Sequence, residues 1–134
     1  MNIVIDTNII LSGLFFGGYP RKVLEAVLDD ECTVFASSEI IDEYTRIVDE
    51  YLKKHGNYSS VFLLLPLIAK MKIIEPKSTT NICRDKDDNK FLNCAIDANA
   101  IYIVTGDQDL LVLAKFSDTQ IITAKEFVTK ALMN

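Results

Sequence analysis

Apolar and polar positions follow two rhythms along this chain. Short apolar, β-branched runs predict strands near residues 2–6, 32–36, 72–74, 101–105 and 120–122. Between them apolar residues recur at three- and four-residue spacing, predicting helices near 20–29, 38–54, 60–70, 88–99, 108–115 and 124–132. Local signals support several of these limits. Pro20 suits a first helical position, Ser37 or Ser38 can cap the next helix, and Thr123 with Glu126 spells a capping box. Strands alternating with helices imply a three-layer α/β/α sandwich around a mainly parallel sheet of about five strands. No repeat, low-complexity tract or linker breaks the pattern, so residues 1–134 are expected to form one domain.

In such sandwiches ligands gather beyond the carboxyl ends of the strands. There the polar positions become unusual. The opening "MNIVIDTNII" ends its first apolar run on Asp6, and a carboxylate held so close to a core is costly unless something positive meets it. Capping of a following helix is the simplest account of a single such residue. In "SSEIIDEYTRIVDEYLKK" the apolar stripe is Ile40, Tyr44, Ile47, Val48 and Tyr51. Glu43 lies about 40° from Ile47, on the shoulder of that stripe, whereas Asp42 and Asp49 face water. Pairing with Arg46, or with the helix dipole, accounts for Glu43 equally well.

The stretch "CRDKDDNKFLNCAIDANA" places Asp88 three, four and seven residues before Phe91, Leu92 and Ala95, on one helical face. Asp87 is better placed as a cap, and Asp85 belongs to the loop. A carboxylate on an apolar stripe at a helix start either contacts backbone N–H groups or holds a cation. In "AIYIVTGDQDLLVLAK" a second strand ends on an acid, Asp107, which can cap the next helix with Asp109 in its first turn. Each acid has a structural explanation alone. Together Asp6, Glu43, Asp88 and Asp107 converge on one sheet edge, where repulsion calls for a metal or a raised pKa. An all-oxygen site suits Mg²⁺ or Mn²⁺.

Composition narrows the chemistry further. With 49% hydrophobic and 25% charged residues and a formal charge of −5, the chain reads as an ordinary globular protein rather than one that coats nucleic acid. Acids clustered in one metal-filled pocket remain compatible with that charge. The single histidine, His55 in "KKHGN", excludes histidine-rich zinc sites and argues against a Ser-His-Asp triad. Cys32, Cys83 and Cys94 lack metal-like spacing, and their odd number suits a reducing cytoplasm. The longest apolar run, "VFLLLPLIA", is interrupted by Pro66 and far shorter than the roughly 20 residues of a membrane span. The chain starts with only Met1 and Asn2 ahead of the first apolar run, so no signal peptide is expected.

In order and spacing, "VIDTNIILS", "SSEIIDEY", "DKDDNKFLNCA" and "YIVTGDQDLL" resemble the motifs of PIN-domain ribonucleases. They are most similar to the bacterial and archaeal group of toxin components in toxin–antitoxin systems, relatives of the VapC-type toxins. The likeness runs through "IITAKEFV", similar to the family's last strand and helix. It implies a PIN-like fold in which Asp6, Glu43, Asp88 and Asp107 are catalytic and hold one or two Mg²⁺ or Mn²⁺ ions, with Asp109 as a further ligand. Asn8 matches the residue that steadies the first aspartate, and Thr105 the small hydroxylic position before the last acid. Lys86 stands where the family often has Pro. The implied activity is metal-dependent hydrolysis of RNA phosphodiester bonds.

Arg21, Lys22, Arg84, Lys86 and Lys90 are candidate RNA-backbone contacts, with ordinary surface charge as the alternative for at least half of them. The implied partners are RNA, an antitoxin protein and a second copy of the chain. Apolar residues of "SGLFFGGYP" and "VFLLLPLIA" left exposed are expected to form the homodimer face or receive an antitoxin segment. Two other classes compete with the nuclease. A Mg²⁺-binding receiver-like signalling domain would want an Asp ending its central strand, and the third strand here ends "IIEPK". A dehalogenase-type hydrolase would want D-x-D where this chain has Asp6-Thr7-Asn8. A non-catalytic binding module would share the scaffold without cleaving RNA.

Overall fold

The computed structural model describes residues 1–56 and 61–132. Its strands are β1 (Asn2–Ile5), β2 (Thr33–Ala36), β3 (Lys72–Ile73), β4 (Tyr102–Val104), β5 (Lys115–Phe116) and β6 (Thr119–Ile122). They form one sheet ordered β3-β2-β1-β4-β6-β5, parallel except where β5 runs against β6. The helices are α1 (Thr7–Phe15), α2 (Gly18–Leu28), α3 (Ser38–His55), α4 (Leu64–Lys70), α5 (Asn89–Asp97), α6 (Gln108–Leu111) and α7 (Ala124–Glu126). The chain winds from β1 outward to β3, then returns through α5 to β4 on the other side of β1. Right-handed crossovers therefore put α5 on the opposite face of the sheet from α1 and α2, completing three layers. The strand order reverses between β1 and β4, the place where sheets of this kind bind ligands.

Burial follows chemistry in the central strands. Ile3, Val4, Ile5, Ile103 and Val104 are buried, as strands covered on both faces require. Register then sets the site. Ile5 pairs with Val104, and Val104 with Ile122, so Asp6 and Thr105 leave the sheet side by side. The Asp6 N–H still donates to Val104 O at 3.0 Å.

Several elements depart from the sequence expectation. Periodicity marked no helix between β1 and residue 20, although a capping role for Asp6 would imply one, and α1 fills that interval. In "TNIILSGLF" the buried face mixes Ile9, Ile10 and Leu14 with Thr7 and Gly13, while Leu11 and Phe15 lie on the less buried face, so the helical alternation is blurred. Pro20 is the third residue of α2, which begins at Gly18. The helix expected over 108–115 stops at Leu111, because Ala114 and Ser117 take left-handed φ values of 60° and 54° and turn the chain into a β5–β6 hairpin. That hairpin supplies the sixth strand. The helix expected over 124–132 is a single α turn continued by a π turn over Phe127–Ala131. The start expected at residue 60 lies outside the described residues; a 3₁₀ turn over Val61–Leu63 leads into α4.

Caps match more closely. Ser37 accepts from Ile40 N at 3.2 Å, and Thr123 and Glu126 form the reciprocal box. Cys32, Cys83 and Cys94 are buried free thiols. Among the described residues no helix is long and apolar enough to cross a membrane.

Candidate metal and active site

The site grows from the ends of β1 and β4. Asp6 occupies the N-cap position of α1, but its side chain makes no capping bond; it accepts instead from Thr105 Oγ1 at 2.5 Å. Thr105 is fully buried and also accepts from Asp107 N at 3.0 Å, so one hydroxyl ties both strand ends together. Asn8 is exposed and reaches Gly106 N at 3.4 Å, bracing the loop after β4, while the contact to Asp6 itself comes from Thr105. Burial pushes the Asp6 carboxyl up to about 6, against the pull of Thr105, and the charges of Asp107 and Glu43 add to the rise.

Asp88 is contributed by a 3₁₀ turn over Lys86–Asp88 that leads into α5. It is 8% exposed, and its Oδ2 has no hydrogen-bond partner. Its pKa is raised to about 7, first by burial, then by the hydrogen bond it shares with Asp107 and by the charges of Asp107, Asp6 and Asp85. The turn's cap differs from the one expected. Asp85 accepts from Asp87 N at 3.0 Å, whereas Asp87 points to Lys90, 3.0 Å away.

Asp107 caps α6 by accepting from Asp109 N at 3.0 Å. Asp88, Asp107 and Asp109 each bring an oxygen within 4.8 Å of the others. Arg84 grips Asp109 through two nitrogens at 2.9 and 2.7 Å and holds its carboxyl below the usual range. The Arg84 side chain is 82% exposed.

Glu43 stands apart from that triad. Thr7 donates to its Oε2, Lys90 Nζ lies 2.8 Å from its Oε1, and Arg46 reaches only 4.0 Å. Tyr44 explains the position of this part of α3: its buried hydroxyl donates to Ile5 O, pinning the helix to the end of β1. Sequence reasoning assigned Tyr44 only to the apolar stripe and gave Thr7 no role. A hydroxyl on the stripe, and one flanking Asp6, were the available signals.

The basic candidates separate clearly. Arg84 and Lys86 are exposed on the acidic loop. Arg21 donates to Gly13 O and to Leu14 O, the latter at 2.8 Å, at the far end of α1, roughly 13 Å of helix from Asp6. Lys22 is exposed and lies over the Tyr19 ring at 5.6 Å. Lys90 is not a surface charge: its side chain is 6% exposed and saturated by Glu43 and Asp87.

A family model described as the PIN domain matches residues 2–109. The chain belongs to the PIN-domain family. A relative, described as uncharacterized protein MJ1680 of Methanocaldococcus jannaschii, is 36% identical over 117 residues, covering 84% of this chain and 75% of that one. The PIN fold is also shared with a chain in the crystal structure of VapBC2 from Rickettsia felis bound to a DNA fragment from its promoter. The TM-score is 0.63 at 18% identity, over 92% of this chain and 98% of that one. PIN domains are typically nucleases that use divalent metals, and Asp88, Asp107 and Asp109 form a group of acids that could hold an ion.

Proposed function

We propose that this PIN domain is a Mg²⁺- or Mn²⁺-dependent endoribonuclease and the toxin of a type II toxin–antitoxin pair, acting in the cytoplasm. The observation that carries the reading is Asp88 Oδ2, buried without a donor beside Asp107 and Asp109, near where the strand order reverses. A buried carboxylate oxygen with no partner is costly, and a cation meets its need. The donors are all oxygens, which fits a hard divalent ion.

Asp88, Asp107 and Asp109 would hold the ion, with Asp6 beside them on Thr105. Bound there, it would supply an acidified water and neutralise charge building on the phosphate. The chain's own part is positional. Thr105 fixes Asp6 relative to Asp107, the β1–β4 register fixes the strand ends, and Arg84 and Lys86 offer cations to the RNA backbone at the rim.

For partners, the reading draws on the VapBC2 complex, a two-protein assembly, and on exposed apolar side chains. Phe16, Phe62 and Leu65 stand open to solvent on this chain. They suit a second copy and an antitoxin segment. The test is cleavage of structured and unstructured RNA by purified protein, abolished by chelation and restored by Mn²⁺. Intact RNA in the presence of Mn²⁺ would leave the binding-module reading in its place.

A further inference from the structure

Lys90 is the unexpected charge of this molecule. It lies on α5, in the turn just after Asp88, and its ammonium makes three contacts: Glu43 Oε1 at 2.8 Å, Asp87 Oδ1 at 3.0 Å and Asp87 O at 2.7 Å. An ammonium has three donors, so Lys90 is satisfied. Burial alone would lower its pKa, but the hydrogen bonds to Glu43 and Asp87 reverse that and leave it above the ordinary lysine value. Glu43 is satisfied too, since its other oxygen accepts from Thr7.

We infer that Lys90 serves as a fixed internal cation for Glu43, making Glu43 a positioning residue rather than a metal ligand and leaving the cleft to take one divalent ion on the Asp88 side. This rests on the nuclease reading and deepens it. The argument turns on a contrast between two ion pairs. Arg84 also sits on a candidate ligand, Asp109, but its side chain is 82% exposed, so water and RNA phosphates can replace Asp109 at little cost. The Lys90 and Glu43 side chains are 6% and 13% exposed. A metal that recruited Glu43 would have to strip a buried ammonium of its main partner, which is strongly destabilising.

Among the described residues Asp88, Asp107 and Asp109 form a group of three acids with oxygens within 4.8 Å of one another, and Glu43 is not part of it. The bridge Glu43–Lys90–Asp87 instead braces α3 against the turn that presents Asp88. Thr7 joins the same bridge next to Asp6.

The experiment is Mn²⁺ titration of the full chain by calorimetry, with melting curves in EDTA and in Mn²⁺. Wild type should bind one Mn²⁺ per chain. Glu43→Gln should keep that affinity within about threefold while slowing RNA cleavage, whereas Asp88→Asn should weaken it at least about tenfold. Lys90→Met should melt lower in EDTA and gain more from Mn²⁺ than wild type does, because the ion can now replace the lost ammonium. Adding Glu43→Gln to Lys90→Met should abolish the extra gain. Should Lys90→Met fail to fold, the comparison of Glu43→Gln with Asp88→Asn decides alone.

Two Mn²⁺ per wild-type chain overturn the inference, as does a Glu43→Gln loss equal to that of Asp88→Asn. So does a folded Lys90→Met whose response to Mn²⁺ matches wild type. In each case the nuclease reading survives if wild type cleaves RNA with Mn²⁺. No Mn²⁺ binding and no cleavage by wild type overturn both.

Discussion

At the scale of single residues, Asp88 and Asp87 are adjacent acids with opposite surroundings. Asp88→Asn removes a buried charge whose Oδ2 has no donor and which lies against other acids, so the metal-free protein should keep its fold and gain stability, while RNA cleavage in Mn²⁺ falls by about a hundredfold or more. Asp87→Asn weakens one contact of Lys90 but leaves the backbone carbonyl and Glu43 in place. Its side chain is largely exposed, so the cost should be about 1 kcal/mol or less, with cleavage nearly intact. Paired urea melts and cleavage rates check both expectations. Proton linkage gives a second residue-scale signature. Asp88 at about 7 and Asp6 at about 6 both lie above their unfolded value of 3.8, so the folded protein binds more protons between those limits. Their contribution is therefore fully present below about pH 4 and is lost as pH rises through 6 and 7. In EDTA the melting temperature should show this fall between pH 5 and 8, and Asp88→Asn should flatten it. Mn²⁺ affinity should rise over the same interval, since the ion displaces the proton.

At the scale of elements, the site depends on how closely helices approach the sheet and one another. α1 begins at the site and packs along α2, and at Gly13 the two helices leave no room for a side chain. A Cβ there would stand 2.5 Å from Leu24 Cδ1 and 2.9 Å from Pro20 O. Alanine ordinarily favours a helix over glycine by about 1 kcal/mol. Here Leu24 is fully buried and the Pro20 carbonyl is backbone, so neither can yield freely. Overpacking of this kind costs about 1–3 kcal/mol, and Gly13→Ala should destabilise on balance, read as a lower urea midpoint at unchanged m value. α3 is anchored differently, by the Tyr44 hydroxyl on Ile5 O. Tyr44→Phe leaves a buried carbonyl short of that donor and should cost about 1–3 kcal/mol, with a loss of cleavage beyond it because α3 carries Glu43.

At the scale of the whole molecule, net charge and surface set the behaviour. With a formal charge of −5 and Asp88, Asp107 and Asp109 grouped together, the protein should meet RNA through the ion and a few rim cations rather than a basic face. Reversing Arg84 to Glu should then weaken RNA binding and flatten its salt dependence by roughly one phosphate contact, as filter binding across a salt series would show. Phe62 and Leu65, each 76% exposed, are apolar surface that water does not favour. Sedimentation at tens of micromolar should give a mass above the 15.1 kDa of one chain; a strict monomer would remove the homodimer from the reading.

The alternation of apolar strands and amphipathic helices determined the layered α/β class, and the positions of Asp6, Asp88 and Asp107 were legible because strand ends and helix faces follow from local periodicity. Caps at Ser37 and Thr123 were legible for the same reason: their partners lie three residues away. The α1 helix was hidden because its less buried face, Asn8, Leu11, Ser12 and Phe15, carries Leu11 and Phe15, so polarity contrasts too weakly around the helix to mark its period. The β5–β6 hairpin was hidden because Ala114 and Ser117 adopt positive φ without a glycine to announce it. What only tertiary structure decided is which charges meet. Thr105 finds Asp6 across 99 residues, Arg84 finds Asp109, and Lys90, legible only as one more surface cation, is enclosed between α3 and its own turn to hold Glu43. Such pairings depend on strand register and helix approach, which join positions far apart in sequence, so spacing along the chain carries no trace of them.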